Sequence, residues 1–225
     1  MELKTIAHLR CDFHEKFGIP RQSGLVNSVT ARIIFTPEYR NPDALRGLEQ
    51  YSHLWLIWQF SEAVRDDWSP TVRPPRLGGN TRMGVFATRA PYRPNPIGLS
   101  CVKIEKIELS TKDGPVITVS GADIMDNTPI YDIKPYLAYV DSHPEASNGF
   151  ALDERAGTLQ VSIPQDIANA LGRSEQAVKE LLAQDPRPQY QNSPERIYTM
   201  SYGGFDISFT VDGKTLEVKS AKKLR

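Results

Sequence analysis

The chain has 225 residues, of which 40% are hydrophobic and 24% charged, an ordinary globular composition. Its 27 Lys and Arg balance 27 Asp and Glu, so the total does not predict a partner held by bulk charge, such as nucleic acid or an anionic membrane. The apolar run Leu54–Trp58 is far shorter than the roughly 20 residues of a membrane span, and Met1-Glu2-Leu3-Lys4 opens no signal-peptide stretch. Two isolated cysteines, Cys11 and Cys101, supply neither a disulfide framework nor a CxxC zinc site. A cytoplasmic protein with reduced thiols and no membrane partner is expected.

Seventeen Pro and 15 Gly punctuate short segments, which favours strands over long helices. Segments rich in Val, Ile and aromatics predict strands at Thr5–Arg10, Val26–Phe35, His53–Phe60, Gly84–Thr88, Ser100–Leu109 and Val116–Ala122. A short helix with Pro in its first turn is predicted at Pro42–Leu48. In Ser100–Leu109 the apolar phase switches between Ile104 and Ile107, which predicts a bulge near Glu105–Lys106. Short strands without long crossovers predict an antiparallel barrel or sandwich. The polar stretch Ser142–Gly157 reads as a linker, dividing the chain at 1–145 and 146–225. Beyond it come helices at Pro164–Leu171 and Ser174–Gln184, the second capped by its serine, and strands at Arg196–Tyr202, Phe205–Val211 and Thr215–Lys219. Gly203-Gly204 and Asp212-Gly213 are hairpin signals between those strands. The mainly β first part is thus followed by a small α+β unit.

The zero net charge hides an asymmetry. From Trp68 to Ile104 there is no acidic residue, while Arg73, Arg76, Arg82, Arg89, Arg93 and Lys103 fall in the same stretch. Either the loop is solvated and finds its partners elsewhere, or the stretch faces an anion.

Several chemistries have no signature here. There is no GxGxxG after a strand, no Walker lysine and no Gly-x-Ser-x-Gly elbow, and His8, His14, His53 and His143 lack metal-ligand spacing, so no metal is expected. The most informative window is Gly84-Val-Phe86-Ala-Thr-Arg89-Ala-Pro-Tyr-Arg93-Pro-Asn95-Pro-Ile-Gly98-Leu99-Ser100. Two prolines around Asn95 restrict the backbone toward a rigid, extended course, and Gly98 permits a turn or a ligand's close approach. The turn Asp123-Ile124-Met125-Asp126-Asn127-Thr128-Pro129 follows a strand, and its carboxylates suit a ribose, a cation or a structural Asx turn. Asp132, Lys134 and Tyr136 alternate onto one face, for proton transfer or as an ion pair. Gly18-Ile-Pro20-Arg21-Gln22-Ser-Gly24 reads as a loop.

Pro20-Arg21-Gln22, Ser52-His53-Leu54-Trp55, Arg73-Pro-Pro-Arg76-Leu-Gly-Gly79, Arg93-Pro-Asn-Pro-Ile-Gly-Leu99, Asp123–Pro129 and Asp132–Tyr136 occur in that order. In this the chain resembles TsaA-like proteins, the TrmO-type tRNA methyltransferases, over about residues 3–143. Ala183-Gln-Asp-Pro-Arg-Pro-Gln-Tyr190 extends the likeness to bacterial C-terminal units.

The resemblance implies a non-Rossmann β-barrel binding S-adenosylmethionine, a homodimer, and N6-methylation of N6-threonylcarbamoyladenosine beside the tRNA anticodon. Carried over by position, it implies that the donor meets Pro20, Arg21, Gln22, Ser61, Glu62, Arg89, Leu99 and Asp123, Ile124, Met125, Asp126. Arg73, Arg76, Arg93, Asn95 and Lys134 are the expected tRNA contacts, with Asp132 or Tyr136 as acceptor of a proton. A non-catalytic RNA-binding barrel and a small-molecule methyltransferase are the rival readings.

Overall fold

A computed structural model describes all residues except 1, 75, 76, 78, 152–158, 188–192 and 225. In chain order its strands and helices are β1 (Ala7–Arg10), β2 (Thr30–Phe35), β3 (His53–Gln59), β4 (Thr71–Val72), β5 (Met83–Gly84), β6 (Ile97–Glu108), β7 (Val116–Ser120), β8 (Thr128–Pro135), α1 (Ala138–Asp141), β9 (Gln160–Ser162), α2 (Gln165–Leu171), α3 (Glu175–Ala183), β10 (Tyr198–Tyr202), β11 (Phe205–Asp212) and β12 (Thr215–Lys223). They divide into two compact units that interleave along the chain. One comprises Met1–Arg10, Arg32–Val119 and Asn127–Ser147; the other comprises Cys11–Ala31, Ser120–Asp126 and Asn148–Arg225.

The strands β1-β2-β7-β6-β3-β8 close into a barrel, which removes unpaired sheet edges. β1 pairs antiparallel with β2 and β8, and β3 pairs antiparallel with β6 and β8. Alternation sends Leu54, Leu56 and Trp58 of β3 inward with Ile33, Val102, Ile117 and Ile130, all buried. Burial along β6 alternates through Ile104, and then Glu105 and Lys106 are both exposed. Gly98 is not in a turn. It sits inside β6, where a Cβ would lie 2.2 Å from the Trp58 indole. That indole donates to the buried Ser100 Oγ at 2.9 Å, so the glycine makes a slot for a core tryptophan.

Two further expectations are corrected in this unit. Gly84–Thr88 is no strand: β5 ends at Gly84, because its partner β4 has only Thr71 and Val72 to offer, and Val85–Ala87 turns as a 3-10 helix. Pro42–Leu48 shortens to a 3-10 turn at Pro42–Leu45, its first turn bonded by Asn41.

In the second unit β10-β11-β12-β9 form a sheet, antiparallel except for β9 against β12. Its core joins Met200, Ile207, Phe209 and Val218 to Val178, Leu181 and Leu182 of α3 and to Phe13, Val26 and Val29. Val26 and Val29 are therefore core residues of a loop, not of an early β2. Gly203 and Gly204 both have positive φ, as a two-residue hairpin requires. Ser174 does not cap α3: a preceding 3-10 turn, Gly172–Ser174, already holds it in helical geometry, and its side chain makes no capping bond. β12 continues through Lys222 and Lys223. No helix among the described residues is long and apolar enough to cross a membrane.

Candidate functional site

The barrel brings separate sequence motifs onto one outward face. Ile57 of β3 pairs with Leu99 on one side and Asp132 on the other. The next outward row along β3 is Cys101–Trp55–Lys134. Leu99 is 56% exposed, an unusual placement for a strand leucine in the absence of a partner. The Lys134 ammonium lies 2.9 Å from Asp132 Oδ2, and Asp132 Oδ1 accepts the Ile133 N–H at 2.9 Å. Tyr136 donates its N–H to the His53 carbonyl, and its ring packs against Trp55 at 5.6 Å.

Sequence reasoning missed Ile57 and Asp141 here, and gave no site role to Trp55 or Cys101. Asp141 accepts from Trp55 Nε1 at 3.0 Å and from the Leu137 N–H at 2.9 Å. The Leu137 bond and then the indole hold its carboxyl below the usual range. Burial, and after it the charge of Asp141, pushes the Cys101 thiol up, so it is a poor nucleophile. Period-2 alternation from Ser100 and His53 carried the signal for these outward neighbours.

Ser61 and Glu62 are exposed on a 3-10 turn after β3. Arg73, Arg89 and Asn95 are exposed as well, while Arg76 lies outside the described residues. The Pro-rich loop is compact rather than extended. Arg93 N–H donates to the Pro91 carbonyl and Ile97 N–H to the Asn95 carbonyl, each across a three-residue turn, and in the second of these the central φ is fixed by Pro96. The Arg93 guanidinium donates to the carbonyls of Thr88 at 3.0 Å and Ala90 at 3.3 Å, bracing its own loop.

Pro20, Arg21, Gln22 and Asp123–Asp126 belong to the second unit. Gly18 and Gly24, both at positive φ, bracket the first motif, and Gly24 N–H bonds the Gly121 carbonyl next to the second. Pro20 and Ile124 are buried, Arg21 is exposed, and Gln22, Asp123 and Met125 are half-buried. Arg21 donates to the Asp185 carbonyl at 3.3 Å. Asp126 clamps the turn: Oδ1 accepts the Cys11 N–H at 3.0 Å, its own N–H reaches the Phe13 carbonyl, and Oδ2 lies 3.8 Å from His14 Nδ1. This loop is anchored from α3, where Glu180 accepts from Ser28 Oγ at 2.7 Å and from Ser28 N–H at 3.3 Å. In the motif Ala183–Tyr190, residues 188–190 lie outside the described residues. Among the described residues no group of three or more His, Cys, Asp or Glu is placed to hold a metal ion.

Comparison with known proteins gives these arrangements a context. The model of the tRNA-methyltransferase O N-terminal domain matches residues 8–142, and that of the TrmO C-terminal domain matches 156–224. The chain is 39% identical over 226 residues to a tRNA (adenine(37)-N6)-methyltransferase of Escherichia coli K12, covering 96% of each. It is 42% identical over 214 residues to a putative S-adenosylmethionine-dependent methyltransferase, RcsF, of Pseudomonas aeruginosa PAO1, covering 91% of this chain and 90% of that one. The crystal structure of TrmO from Pseudomonas aeruginosa superposes with a TM-score of 0.78 at 31% identity, covering 98% of both chains.

Proposed function

Because this chain belongs to the tRNA-methyltransferase O family, we propose that it is an S-adenosylmethionine-dependent methyltransferase acting on N6 of adenosine 37 in tRNA. We take the substrate at that position to be N6-threonylcarbamoyladenosine. The observation that carries the reading is the full-length match, with both domain models in order and a relative of that activity covering 96% of each chain. The division at 1–145 and 146–225 is read the same way, as a donor-binding barrel and a small α+β domain.

The side chains present fit such a donor. Bound S-adenosylmethionine supplies an electrophilic methyl group on a positively charged sulfur. Leu99 and Ile57 offer apolar surface to a purine ring, and Asp132 beside Ile57 offers negative charge. On the second unit the main chain of Pro20-Arg21-Gln22 is presented between two left-handed glycines, and Asp123 and Asp126 add negative charge. Ser61, Glu62, Arg89, Ile124 and Met125 complete the donor set we propose.

Methyl transfer is an in-line displacement, so alignment contributes most of the rate. As the N–C bond would form and the methyl–sulfur bond break, its electron pair returning to sulfur to leave a neutral thioether, the nitrogen would lose its proton; Asp132 would receive it, with Lys134 holding that carboxylate at 2.9 Å and Tyr136 as the other acceptor. Arg73, Arg76 and Asn95 meet the tRNA backbone, and Arg93 shapes the loop that presents Asn95. A cytoplasmic homodimer completes the reading, supported by Ile97, Leu99 and Val140, which are 38%, 56% and 48% exposed.

Nucleoside mass spectrometry of tRNA from a strain lacking the gene tests this. The methylated nucleoside should vanish, return with the wild-type gene, and fall about 100-fold or more in rate with Asp132→Asn. Failure of the pure protein to bind labelled S-adenosylmethionine would favour the non-catalytic RNA-binding barrel, and full activity of Asp132→Asn would leave Asp132 as an ion pair only.

A further inference from the structure

The stretch from Trp68 to Ile104, with six cations and no carboxylate, also carries the most exposed aromatic surface of the first unit outside α1. Trp68 is 53% exposed, Phe86 74% and Tyr92 40%. Burial stabilises aromatic rings more than almost any other side chain, so three of them held in solvent need an account. They are not loose. β4 pairs with β5 in the register Thr71↔Gly84 and Val72↔Met83, and Val85 N–H donates to the Pro70 carbonyl at 2.9 Å. This two-stranded ribbon brings the residues just before β4 beside those just after β5, and there the rings of Trp68 and Phe86 stack, with centroids 6.2 Å apart and planes inclined by 28°. The Arg65 guanidinium lies over the Tyr92 ring, 4.1 Å from its centroid, a cation–π contact at the same arginine-rich surface.

An offset pair at this separation is already in contact, so nothing inserts between the two rings. What remains free is the outer surface of Phe86. A flat apolar ring, backed by a second ring and set in an arginine-rich surface, matches what an unpaired nucleobase needs: stacking on one face while cations meet the adjoining phosphates. Asp66 and Asp67 immediately precede Trp68, which confines the favourable field to the side of Arg73, Arg82 and Arg89.

We infer that Phe86, supported by Trp68, is a stacking platform for an unpaired base of the tRNA anticodon loop, next to the base that is methylated. The inference rests on the tRNA reading above and assigns a residue that none of the matched motifs contains. Stacking is non-ionic, so its loss weakens binding equally at every salt concentration. A phosphate contact instead contributes to the slope of log affinity against log salt, roughly 0.7–0.9 for each phosphate neutralised.

The test is a salt series of binding between the full-length protein and a labelled anticodon stem-loop RNA, with Phe86→Leu, Phe86→Tyr, Trp68→Leu and Arg73→Ala as variants. Phe86→Leu is expected to bind about fivefold to 150-fold more weakly with an unchanged salt slope. Phe86→Tyr should bind as wild type does, and Trp68→Leu should lie between them. Arg73→Ala should reduce the slope. The melting temperature of Phe86→Leu should not fall, since the ring is largely in solvent. Wild-type affinity in Phe86→Leu overturns the platform while leaving the tRNA reading intact. A loss that comes only with dissociation of a dimer also overturns it, by making Phe86 a contact between two copies. Absence of any binding by the wild-type protein overturns the tRNA reading itself.

Discussion

Two loops of this protein carry family motifs, and they are held in opposite ways. The loop 11–29 is tied to residues far along the chain: Ser28 to Glu180, Arg21 to the Asp185 carbonyl, and the Ser201 N–H to Glu15 at 3.1 Å. Phe13 packs on Tyr202 with centroids 5.1 Å apart. The loop that contains Arg89 and Arg93 is held mostly by its immediate neighbours, although its Pro96 carbonyl also accepts the Phe60 N–H at 2.8 Å. Thr88 Oγ1 donates to the Val85 carbonyl at 2.9 Å, Arg93 donates to the Thr88 carbonyl, and Arg93 N–H reaches the Pro91 carbonyl. The first loop should loosen when distant residues change. The second should respond chiefly to changes within itself.

The largest expected effect lies in the first loop. Gly18 has φ +93°, and a Cβ there would meet Met200 Sδ at 2.3 Å. Gly18→Ala therefore combines a left-handed penalty of roughly 1–2 kcal/mol with crowding of a fully buried methionine. A loss of about 2–4 kcal/mol in unfolding free energy is expected by denaturant titration, together with weaker binding of the methyl donor. A loss below about 1 kcal/mol would mean that the loop yields without the β-sheet behind it, and the contrast between the two loops would fail.

This contrast also explains what could be read from the sequence. Barrel strands such as His53–Gln59 were legible because a short apolar run rich in aromatics is a local signal, and the hairpin at Gly203-Gly204 was legible because only glycine accepts two successive positive φ values cheaply. Leu99 and Asp132 were each singled out, but that Ile57 lies between them is a matter of register, set by pairings across the barrel. Val26 and Val29 looked like the start of a strand because their burial is caused by residues more than a hundred positions away. Phe86 was hidden for the opposite reason. Its neighbours Gly84–Thr88 have strand-like composition, yet a two-residue partner strand cannot extend the ladder that far.

A smaller effect separates the two loops by pH. Burial alone would raise the Glu180 carboxyl, but the hydrogen bonds from Gln176, Ser28 and Asn27 outweigh it, and the net shift is below the ordinary value of 4.5. A lowered folded value means stabilisation that is complete above the unfolded value and is lost as pH falls through the folded one. Glu180→Gln should therefore destabilise the protein by about 1–2 kcal/mol near neutral pH, with the difference from wild type shrinking below about pH 4.5 and vanishing in stronger acid. Hydrogen exchange should quicken at Asn27 and Ser28 and stay unchanged from Thr88 to Arg93. Equal quickening in both places would show that the loops are coupled and refute the comparison.

The smallest effect belongs to the self-contained loop. Arg93→Ala removes donors to two carbonyls that lie near the surface and can turn to water. The stability loss should be about 1 kcal/mol or less, below what Gly18→Ala or Glu180→Gln causes. Turnover on tRNA should nevertheless drop, because the loop presenting Arg89 and Asn95 loses its brace. A brace and a phosphate contact are told apart by salt. If Arg93 acts through its own loop, the slope of log tRNA affinity against log salt stays that of wild type, whereas removal of a phosphate contact lowers it by roughly 0.7–0.9. A reduced slope for Arg93→Ala would move this guanidinium from the loop's scaffold to the RNA interface.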